Sequence, residues 1–261
     1  MALIPNKAKQ KVSTGRLALG MILRQSRTAD IASIARACDF DWISIDLEHS
    51  AIGVEAAAQI ASACLEAGVT ALVRIPQPVY PNGTRLLDAG AQGLIVPHVD
   101  SAEDARLAVQ ACKYPPLGKR SIASVQPQLA FREVPADEVM EQVNDAMLLV
   151  VMLETKDAIE NASSIAAVPG VDVLLIGAND LLADYGIAGK ASHPLMLEAL
   201  ETVARAAREA GLAAGVSGLH EPAMLRKALE LGFRFIGSGT DLSFLMKAGR
   251  EKSQALRKLL P

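Results

Sequence analysis

The sequence contains few aromatic residues and few cysteines, and both scarcities constrain the protein. Aromatic residues make up 3% of the chain against 51% hydrophobic residues, so the core must be built mainly from Ala, Leu, Ile and Val. The three cysteines, Cys38, Cys64 and Cys112, are scattered through apolar segments without the spacing of metal ligands. We therefore expect buried free thiols in a reducing compartment, the cytoplasm.

Long apolar runs and a basic surface are also missing. No run reaches the roughly 18 residues that span a bilayer, and the N-terminal segment has no apolar core typical of a secretory signal. With 26 basic and 29 acidic residues the net charge is −3, which gives no footprint for nucleic acid. No GxGxxG follows the first apolar run, so no nucleotide cofactor is predicted. We expect neither a membrane nor a nucleic acid as partner.

What the sequence does contain is an alternation of short apolar runs with helical segments. Because the runs are continuously apolar, they predict a parallel sheet that is buried on both faces. The intervening segments, such as 54–68 and 101–113, are Ala-rich and amphipathic, and several stop at a glycine that is typical of a helix C-terminus. The runs interpreted as strands are 18–23, 42–46, 71–75, 93–97, 147–153, 171–177, 213–218 and 233–239. Eight strands in a chain of this length predict one (β/α)8 barrel domain over residues 1–261.

Polar side chains follow several of these strands at the point where each strand ends. In such a barrel the catalytic groups lie at the carboxyl ends of the strands, so we expect these side chains to share one site. They are Asp46, Glu48 and His49 after the second strand, Arg74 at the end of the third, His98 after the fourth, Glu154 after the fifth, and Gly177, Asn179 and Asp180 at and after the sixth.

Two of these residues are acids on neighbouring strands. Glu154 and Asp180 could supply carboxylate oxygens to a hard divalent cation such as Mg²⁺, with water and substrate filling the open positions. Alternatively, each acid simply caps the helix that follows it. Arg74 interrupts an apolar strand and must pair with a carboxylate, either that of a substrate or that of a neighbouring acid such as Glu154.

Lysine is missing from all eight predicted strands. A Schiff-base enzyme needs a desolvated lysine inside the barrel, so imine chemistry is not expected, and a metal ion is favoured as the electron sink. The segment GSGTD (237–241) could bind an anion through its amides, but Thr240 or Asp241 acting as a helix cap is the favoured interpretation.

In this order, the motifs resemble those of the HpcH/HpaI family of class II, metal- and pyruvate-dependent aldolases. The resemblance covers nearly the whole chain and is carried by DWISIDLEHS, VRIP, LLDAGAQGLIVPHVDSAEDA, YPPLGKR, LETKDAIEN and VPGVDVLLIGANDLLADYG. It implies a barrel of the phosphoenolpyruvate/pyruvate type that exchanges its C-terminal helix between subunits of a homo-oligomer, a hexamer built as a trimer of dimers. It also implies a divalent cation (Mg²⁺, Mn²⁺ or Co²⁺) and retro-aldol cleavage of a 4-hydroxy-2-oxo acid.

Specific roles follow from the same resemblance. Glu154 and Asp180 match the metal ligands, and Arg74 matches the residue that binds the 2-oxo acid and stabilises its enolate. His49 matches the catalytic histidine, Asp88 its dyad partner and Asp46 a supporting acid. Gly177 and Ala178 match the segment whose amides bind the pyruvate carboxylate, beside Asp180.

The chain also departs from the family pattern. Met152 replaces a common glutamine, His98 stands where some members have methionine, and RSIAS (120–124) replaces the usual glycine-containing loop. The long segment 114–139 is expected to help select the aldehyde. A citrate-lyase-like or malyl-CoA-type lyase is the main alternative, followed by a phosphate-handling barrel isomerase and a non-catalytic barrel.

Overall fold

The computed structural model describes residues 3–76, 80–123 and 125–259. Within them, parallel strands pair in chain order and the last pairs with the first, which closes the barrel. The strands are β1 (Ala18–Leu23), β2 (Trp42–Asp46), β3 (Thr70–Arg74), β4 (Gly93–Val96), β5 (Leu148–Leu153), β6 (Val173–Gly177), β7 (Ala213–Ser217) and β8 (Phe235–Thr240). The predicted (β/α)8 barrel is confirmed, with strand bounds shifted by two residues at most.

Helices connect the strands along the outside of the barrel. They are α1 (Lys7–Ser13), α2 (Ile31–Ala37), α3 (Val54–Ala67), α4 (Tyr80–Asp88), α5 (Ala102–Cys112), α6 (Ala136–Ala146), α7 (Lys156–Glu160), α8 (Ala162–Ala166), α9 (Ala178–Asp184), α10 (Pro194–Glu209), α11 (Pro222–Glu230) and α12 (Asp241–Arg257), with a 3-10 helix at Pro127–Leu129. The predicted glycine stops at positions 68, 90, 211 and 232 all have positive φ, the conformation that ends helices and favours glycine.

The barrel interior is filled with side chains from alternate strand positions and is closed at its amino end by α1. Trp42 stacks on Phe235 with ring centroids 4.3 Å apart, and its indole Nε1 donates to the carbonyl of Ala18 at 3.2 Å. Gly20 must lack a side chain, because a Cβ there would overlap the Trp42 indole. Buried side chains thus fill the amino end of the interior, and Trp42 is among the residues that line a pocket at the carboxyl end.

The larger core lies between the strands and the surrounding helices, and it contains two of the three cysteines. Cys64 and Cys112 are buried, and burial raises the pKa of each thiol to about 12. The expectation of burial was wrong for Cys38, which is exposed because it follows the last turn of α2. None of the described helices combines the length and apolar character that crossing a membrane requires.

The last helix, α12, is fully described, and none of its residues is buried. Phe244 stacks on Phe40 with centroids 6.0 Å apart, whereas Leu245 exposes 70% of its surface and Leu256 exposes 52%. A helix that follows the last strand of a barrel normally packs an apolar face onto it. In one chain, α12 leaves much of its apolar surface uncovered.

Candidate active site

The strand register sets the first pair of functional side chains. In β2 and β3 alternate residues point inward, and Asp46 stands directly beside Arg74. Arg74 donates from Nε to Oδ1 of Asp46 at 3.0 Å and from Nη2 to Oδ2 at 2.6 Å, a bidentate pair. The acid that binds Arg74 through two hydrogen bonds is therefore Asp46, whereas the sequence had named Glu154 as an example of such a neighbour.

This pair is held charged inside the barrel. Burial raises the pKa of Asp46, but the hydrogen bond and charge of Arg74 outweigh burial, and the net pKa is lowered. For Arg74, burial lowers the pKa, and the acids around it, led by Asp46, raise it overall. Since both groups stay ionised, Arg74 presents a fixed positive charge to the pocket.

Asp46 also shapes the turn that carries His49. Its Oδ1 accepts the backbone amides of Glu48 and His49, each at 3.1 Å. Glu48, to which the sequence assigned no catalytic role, places Oε2 3.3 Å from Nη1 of Arg74 and 3.7 Å from Nε2 of His49. The His49 side chain is 47% exposed and lines the pocket, so its imidazole is accessible to a ligand.

Glu154 and Gly177 form the opposite wall. Leu153 pairs with Ile176, so the next residues, Glu154 and Gly177, also face each other at the strand ends. A Cβ at position 177 would lie 2.7 Å from Cγ and 2.9 Å from Cδ of Glu154. Only glycine leaves room for the carboxylate there.

Neither metal-ligand candidate is a helix cap. Thr155 caps α7 with its side chain, which accepts the amide of Ala158, and Gly177 occupies the cap position of α9. Glu154 is free to point into the pocket, and Asp180 lies exposed in the first turn of α9. The capping alternative is therefore not supported for either acid.

Burial raises the pKa of Glu154 to about 7. The amide and charge of His98 act in the opposite direction, while the charge of Asp180 raises the pKa further. A buried acid whose ionisation is disfavoured, with a second acid beside it at the same pocket, provides a donor set that a divalent cation would stabilise.

His98 bridges two acids behind the pocket, a contact that the sequence did not predict. Its backbone amide donates to Oε2 of Glu154 at 3.1 Å, and its Nε2 lies 3.4 Å from Oε1 of Glu48. The residue adopts φ 51°, a left-handed conformation uncommon outside glycine. In the sequence, the only indication that His98 lies near the site was its position just after β4.

Six of the eight residues to which the resemblance assigned roles line one pocket at the carboxyl end of the barrel. Among its lining residues are His49, Arg74, Glu154, Gly177, Ala178 and Asp180. Arg24, which the sequence reading did not single out, lines it as well. Asp46 is fully buried and acts on the pocket through Arg74 and the 48–49 turn.

Asp88 lies elsewhere. It ends α4, shortly before β4 begins, and therefore lies at the amino end of the barrel, whereas His49 follows the carboxyl end of β2. Its carboxylate accepts from Nη2 of Arg120 at 2.6 Å. Within one chain the structure does not bring Asp88 to His49, and their pairing stays a prediction.

The long segment after α5 also packs at the amino end. Gln128 donates to the carbonyls of Leu87 and Ala91, and none of the described residues of 114–139 lines the pocket. The segment therefore does not line the pocket of its own chain, and its part in selecting the aldehyde, together with neighbouring subunits, stays a prediction. Ser124 of the RSIAS motif lies outside the described residues.

The GSGTD segment serves as a cap, as the favoured interpretation predicted. The Thr240 side chain accepts the amide of Ser243, and the Ser243 hydroxyl accepts the backbone amide of Thr240. The carboxylate of Asp241 accepts amides from the loop after β1. With these groups paired, the segment offers little support for a phosphate site.

Comparisons with known proteins identify the family of this chain. A 4-hydroxy-4-methyl-2-oxoglutarate aldolase of Hapsidospora irregularis is 38% identical over 99% of this chain and 97% of its own length. A 2-keto-3-deoxy-L-rhamnonate aldolase of Escherichia coli K12 is 35% identical over 92% of this chain and 89% of its own. The crystal structure of an HpcH/HpaI aldolase from Desulfitobacterium hafniense superposes with a TM-score of 0.90 at 33% identity, covering 97% of both chains. The model of the HpcH/HpaI aldolase/citrate lyase family matches residues 20–248, and the chain belongs to that family.

Proposed function

We propose that the protein is a divalent-metal-dependent aldolase. It would reversibly cleave a 4-hydroxy-2-oxo acid to an aldehyde and pyruvate, or a related 2-oxo acid such as hydroxypyruvate. The observation that chiefly supports this proposal is that Arg74, His49, Glu154 and Asp180 line one pocket at the carboxyl end of the barrel. Named relatives above 30% identity are aldolases of 4-hydroxy-2-oxo acids, which favours this reaction over the lyase alternative within the family.

Glu154 and Asp180 fit a divalent cation. A buried carboxyl whose pKa is raised to about 7 by desolvation and by a neighbouring acid is the kind of group that a cation stabilises in its ionised form. No cluster of three or more ligating side chains occurs in the described residues, so water and substrate would complete the coordination. Bound there, Mg²⁺, Mn²⁺ or Co²⁺ would supply a Lewis acid for the 2-oxo acid.

The chain itself supplies the remaining charge stabilisation. Arg74, held by Asp46, keeps N–H groups available towards the pocket and would stabilise negative charge on the keto oxygen as the enolate forms. The first turn of α9, which starts at Ala178 after Gly177, has backbone amides without helical partners and would bind the substrate carboxylate.

Proton transfer at the C4 hydroxyl is assigned to His49. Its imidazole lines the pocket and its backbone is fixed by Asp46, while histidine exchanges protons near neutral pH. In cleavage it would accept the hydroxyl proton as the C3–C4 bond breaks, and in synthesis it would return it. The alternative role is to order a water molecule that carries the proton.

No lysine is among the described residues that line the pocket, which supports a mechanism without an imine. Lys113, a deeply buried lysine, donates to the carbonyls of Asn144 and Met147 near the start of β5, at the amino end of the barrel. Lys113 therefore lies at the opposite end of the barrel from the pocket at the carboxyl ends of the strands.

The proposed assembly is a homo-oligomer that exchanges α12, a hexamer by resemblance. A helix packed on the outside of β8 would lie between α11 and α2. Ile34 on α2 and Leu229 on α11 are exposed apolar residues on these two flanking helices. The apolar side chains of α12 are exposed too. A second subunit could also bring Asp88 to His49, which one chain cannot do.

The decisive experiment measures pyruvate release from 4-hydroxy-4-methyl-2-oxoglutarate by coupling to lactate dehydrogenase. We expect turnover that EDTA abolishes and Mg²⁺ or Mn²⁺ restores, and no inactivation by borohydride in the presence of pyruvate. Glu154→Gln should lose metal binding and turnover, whereas Glu160→Gln, at an exposed ion pair, should retain both. Turnover that is unaffected by chelator, or no metal-dependent cleavage of any 4-hydroxy-2-oxo acid, would refute the proposal.

A further inference from the structure

Arg24 is a second guanidinium at the pocket, and the reaction outlined above does not use it. It is the first residue after β1 and lines the same pocket as Glu154 and Asp180. Its Nε donates to Oδ2 of Asp46 at 2.9 Å, and 36% of its side chain is exposed. Its terminal nitrogens make no hydrogen bond to other residues in the described part of the chain.

The charges around Arg24 leave it incompletely neutralised. Asp46 already binds Arg74 through both oxygens, and the oxygen that receives Arg24 also receives Nη2 of Arg74. One carboxylate thus serves two guanidinium groups, and the nearby Glu48 pairs with Arg74. A guanidinium with free terminal N–H groups is suited to a further carboxylate.

The position of Arg24 suggests that it would contact the end of the substrate that is remote from the 2-oxo acid group. In a closed barrel of eight strands, β1 lies across from β5, which carries Glu154 at its end. A 2-oxo acid held by its carboxylate and keto oxygen at the Glu154–Asp180 wall would extend its carbon chain towards the wall that carries Arg24. The group that Arg24 meets is therefore on the part of the substrate that becomes the carbonyl product.

The loop that carries Arg24 is anchored at its backbone. Asp241 accepts the amides of Arg24 at 2.9 Å, Gln25 at 3.0 Å and Ser26 at 2.7 Å. Burial raises the pKa of Asp241, but these hydrogen bonds outweigh it and lower the pKa overall, so the carboxylate stays ionised. A fixed backbone presents Arg24 in one place and distinguishes it from a mobile surface arginine.

We propose that Arg24 binds a second substrate carboxylate, so that the site prefers 4-hydroxy-2-oxo dicarboxylates and carbonyl acceptors that carry a carboxylate. This rests on the proposed aldolase function and names the substrate class for the same site. Arg24 acts in specificity, while Arg74 and the acidic wall act on the 2-oxo group.

The test compares two ligands that differ only at the far end, 2-oxoglutarate and 2-oxopentanoate, by calorimetry on the Mn²⁺-loaded protein. Wild type should bind 2-oxoglutarate more tightly. Arg24→Met should weaken 2-oxoglutarate by about 10-fold or more, as expected for a charge-assisted hydrogen bond, and change 2-oxopentanoate by less than about 3-fold. Arg24→Lys should recover part of the preference for 2-oxoglutarate over 2-oxopentanoate. Arg36→Met, which removes an exposed arginine from α2, should leave the ratio of the two affinities unchanged.

Two results would overturn the proposal: no preference in wild type, or equal losses for both ligands in Arg24→Met. Equal losses would mean that Arg24 only supports Asp46 and Arg74. Because the assay needs no turnover, it separates the two proposals. Arg24-dependent discrimination without retro-aldol cleavage would refute the aldolase function alone, whereas cleavage without discrimination would refute the role of Arg24 alone.

Discussion

Asp46→Asn tests whether the buried carboxylate is what keeps Arg74 charged inside the barrel. Asp46 is fully buried, and its side chain receives three N–H groups from Arg74 and Arg24 and two backbone amides from the following turn. Asparagine retains the shape and one acceptor oxygen but removes the negative charge. The substitution therefore leaves a buried guanidinium with weakened compensation.

The expected cost is about 3 kcal/mol in the free energy of unfolding. Removing one partner of a buried ion pair costs about 3 to 5 kcal/mol, because the remaining charge stays desolvated. The lower end applies because Glu48 stays 3.3 Å from Nη1 of Arg74. At acid pH the difference in the free energy of unfolding between wild type and Asp46→Asn should become smaller. The folded pKa of Asp46 is lowered, so its contribution is complete above its unfolded pKa of about 4 and is lost as pH falls through the folded pKa.

The measurement is urea unfolding near pH 7 with EDTA present and protein concentration held constant, since ligands and assembly shift apparent stability. A double-mutant cycle with Arg74→Met isolates the pair, and the double variant should be clearly more stable than the sum of the two single losses predicts. Glu230→Gln, in an exposed pair with Lys227, is the control and should change stability by less than about 1 kcal/mol.

A loss below about 1 kcal/mol for Asp46→Asn, or no coupling in the cycle, would refute the reasoning. Either result would mean that Glu48 and the more distant Glu154 suffice to compensate Arg74. The paired role of Asp46 would then reduce to ordering the turn before His49.

Three further predictions concern the acidic wall, the amino end and the last helix. Gly177→Ala should displace the Glu154 carboxylate and weaken Mn²⁺ binding by about 10-fold in a titration, whereas Gly53→Ala, which has open space, should not. Burial lowers the pKa of Lys113 to about 8, so its folded form releases a proton before its unfolded form. The stability of wild type relative to Lys113→Met should therefore rise by about 2 kcal/mol between about pH 7.5 and 9.5, and a flat difference in urea unfolding would contradict this. Leu245→Asp should lower the mass of the assembly in sedimentation, and an unchanged mass would argue against exchange of α12.

The strands could be predicted because each is a largely apolar run between turns. Burial on both faces leaves no polar alternation to confuse the pattern, and the strand bounds agree within two residues. The convergence of His49, Arg74, Glu154 and Asp180 on one pocket follows from the same assignment, because parallel strands in a barrel share a carboxyl end.

Pairings between strands could not be predicted, since they depend on register and not on local pattern. The sequence left the partner of Arg74 open between a substrate carboxylate and a neighbouring acid such as Glu154, while the alignment of β2 with β3 places Asp46 beside it. Arg24 escaped notice for a related reason. It is a single basic residue just past β1, and only the closed barrel shows that this position faces the pocket.

The direction of the chain alone predicts at which end of the barrel Asp88 lies. It lies two residues before Gly90, whose positive φ ends the helix, and a helix that follows a barrel strand ends at the amino side. His49 belongs to the carboxyl side. If the two residues form a dyad, they do so between subunits, so proton transfer and quaternary structure depend on each other. The charged pair of Asp46 and Arg74 and the acidic wall of Glu154 are complete within one chain. Splitting the assembly should therefore remove proton transfer through the dyad while metal and 2-oxo acid binding persist.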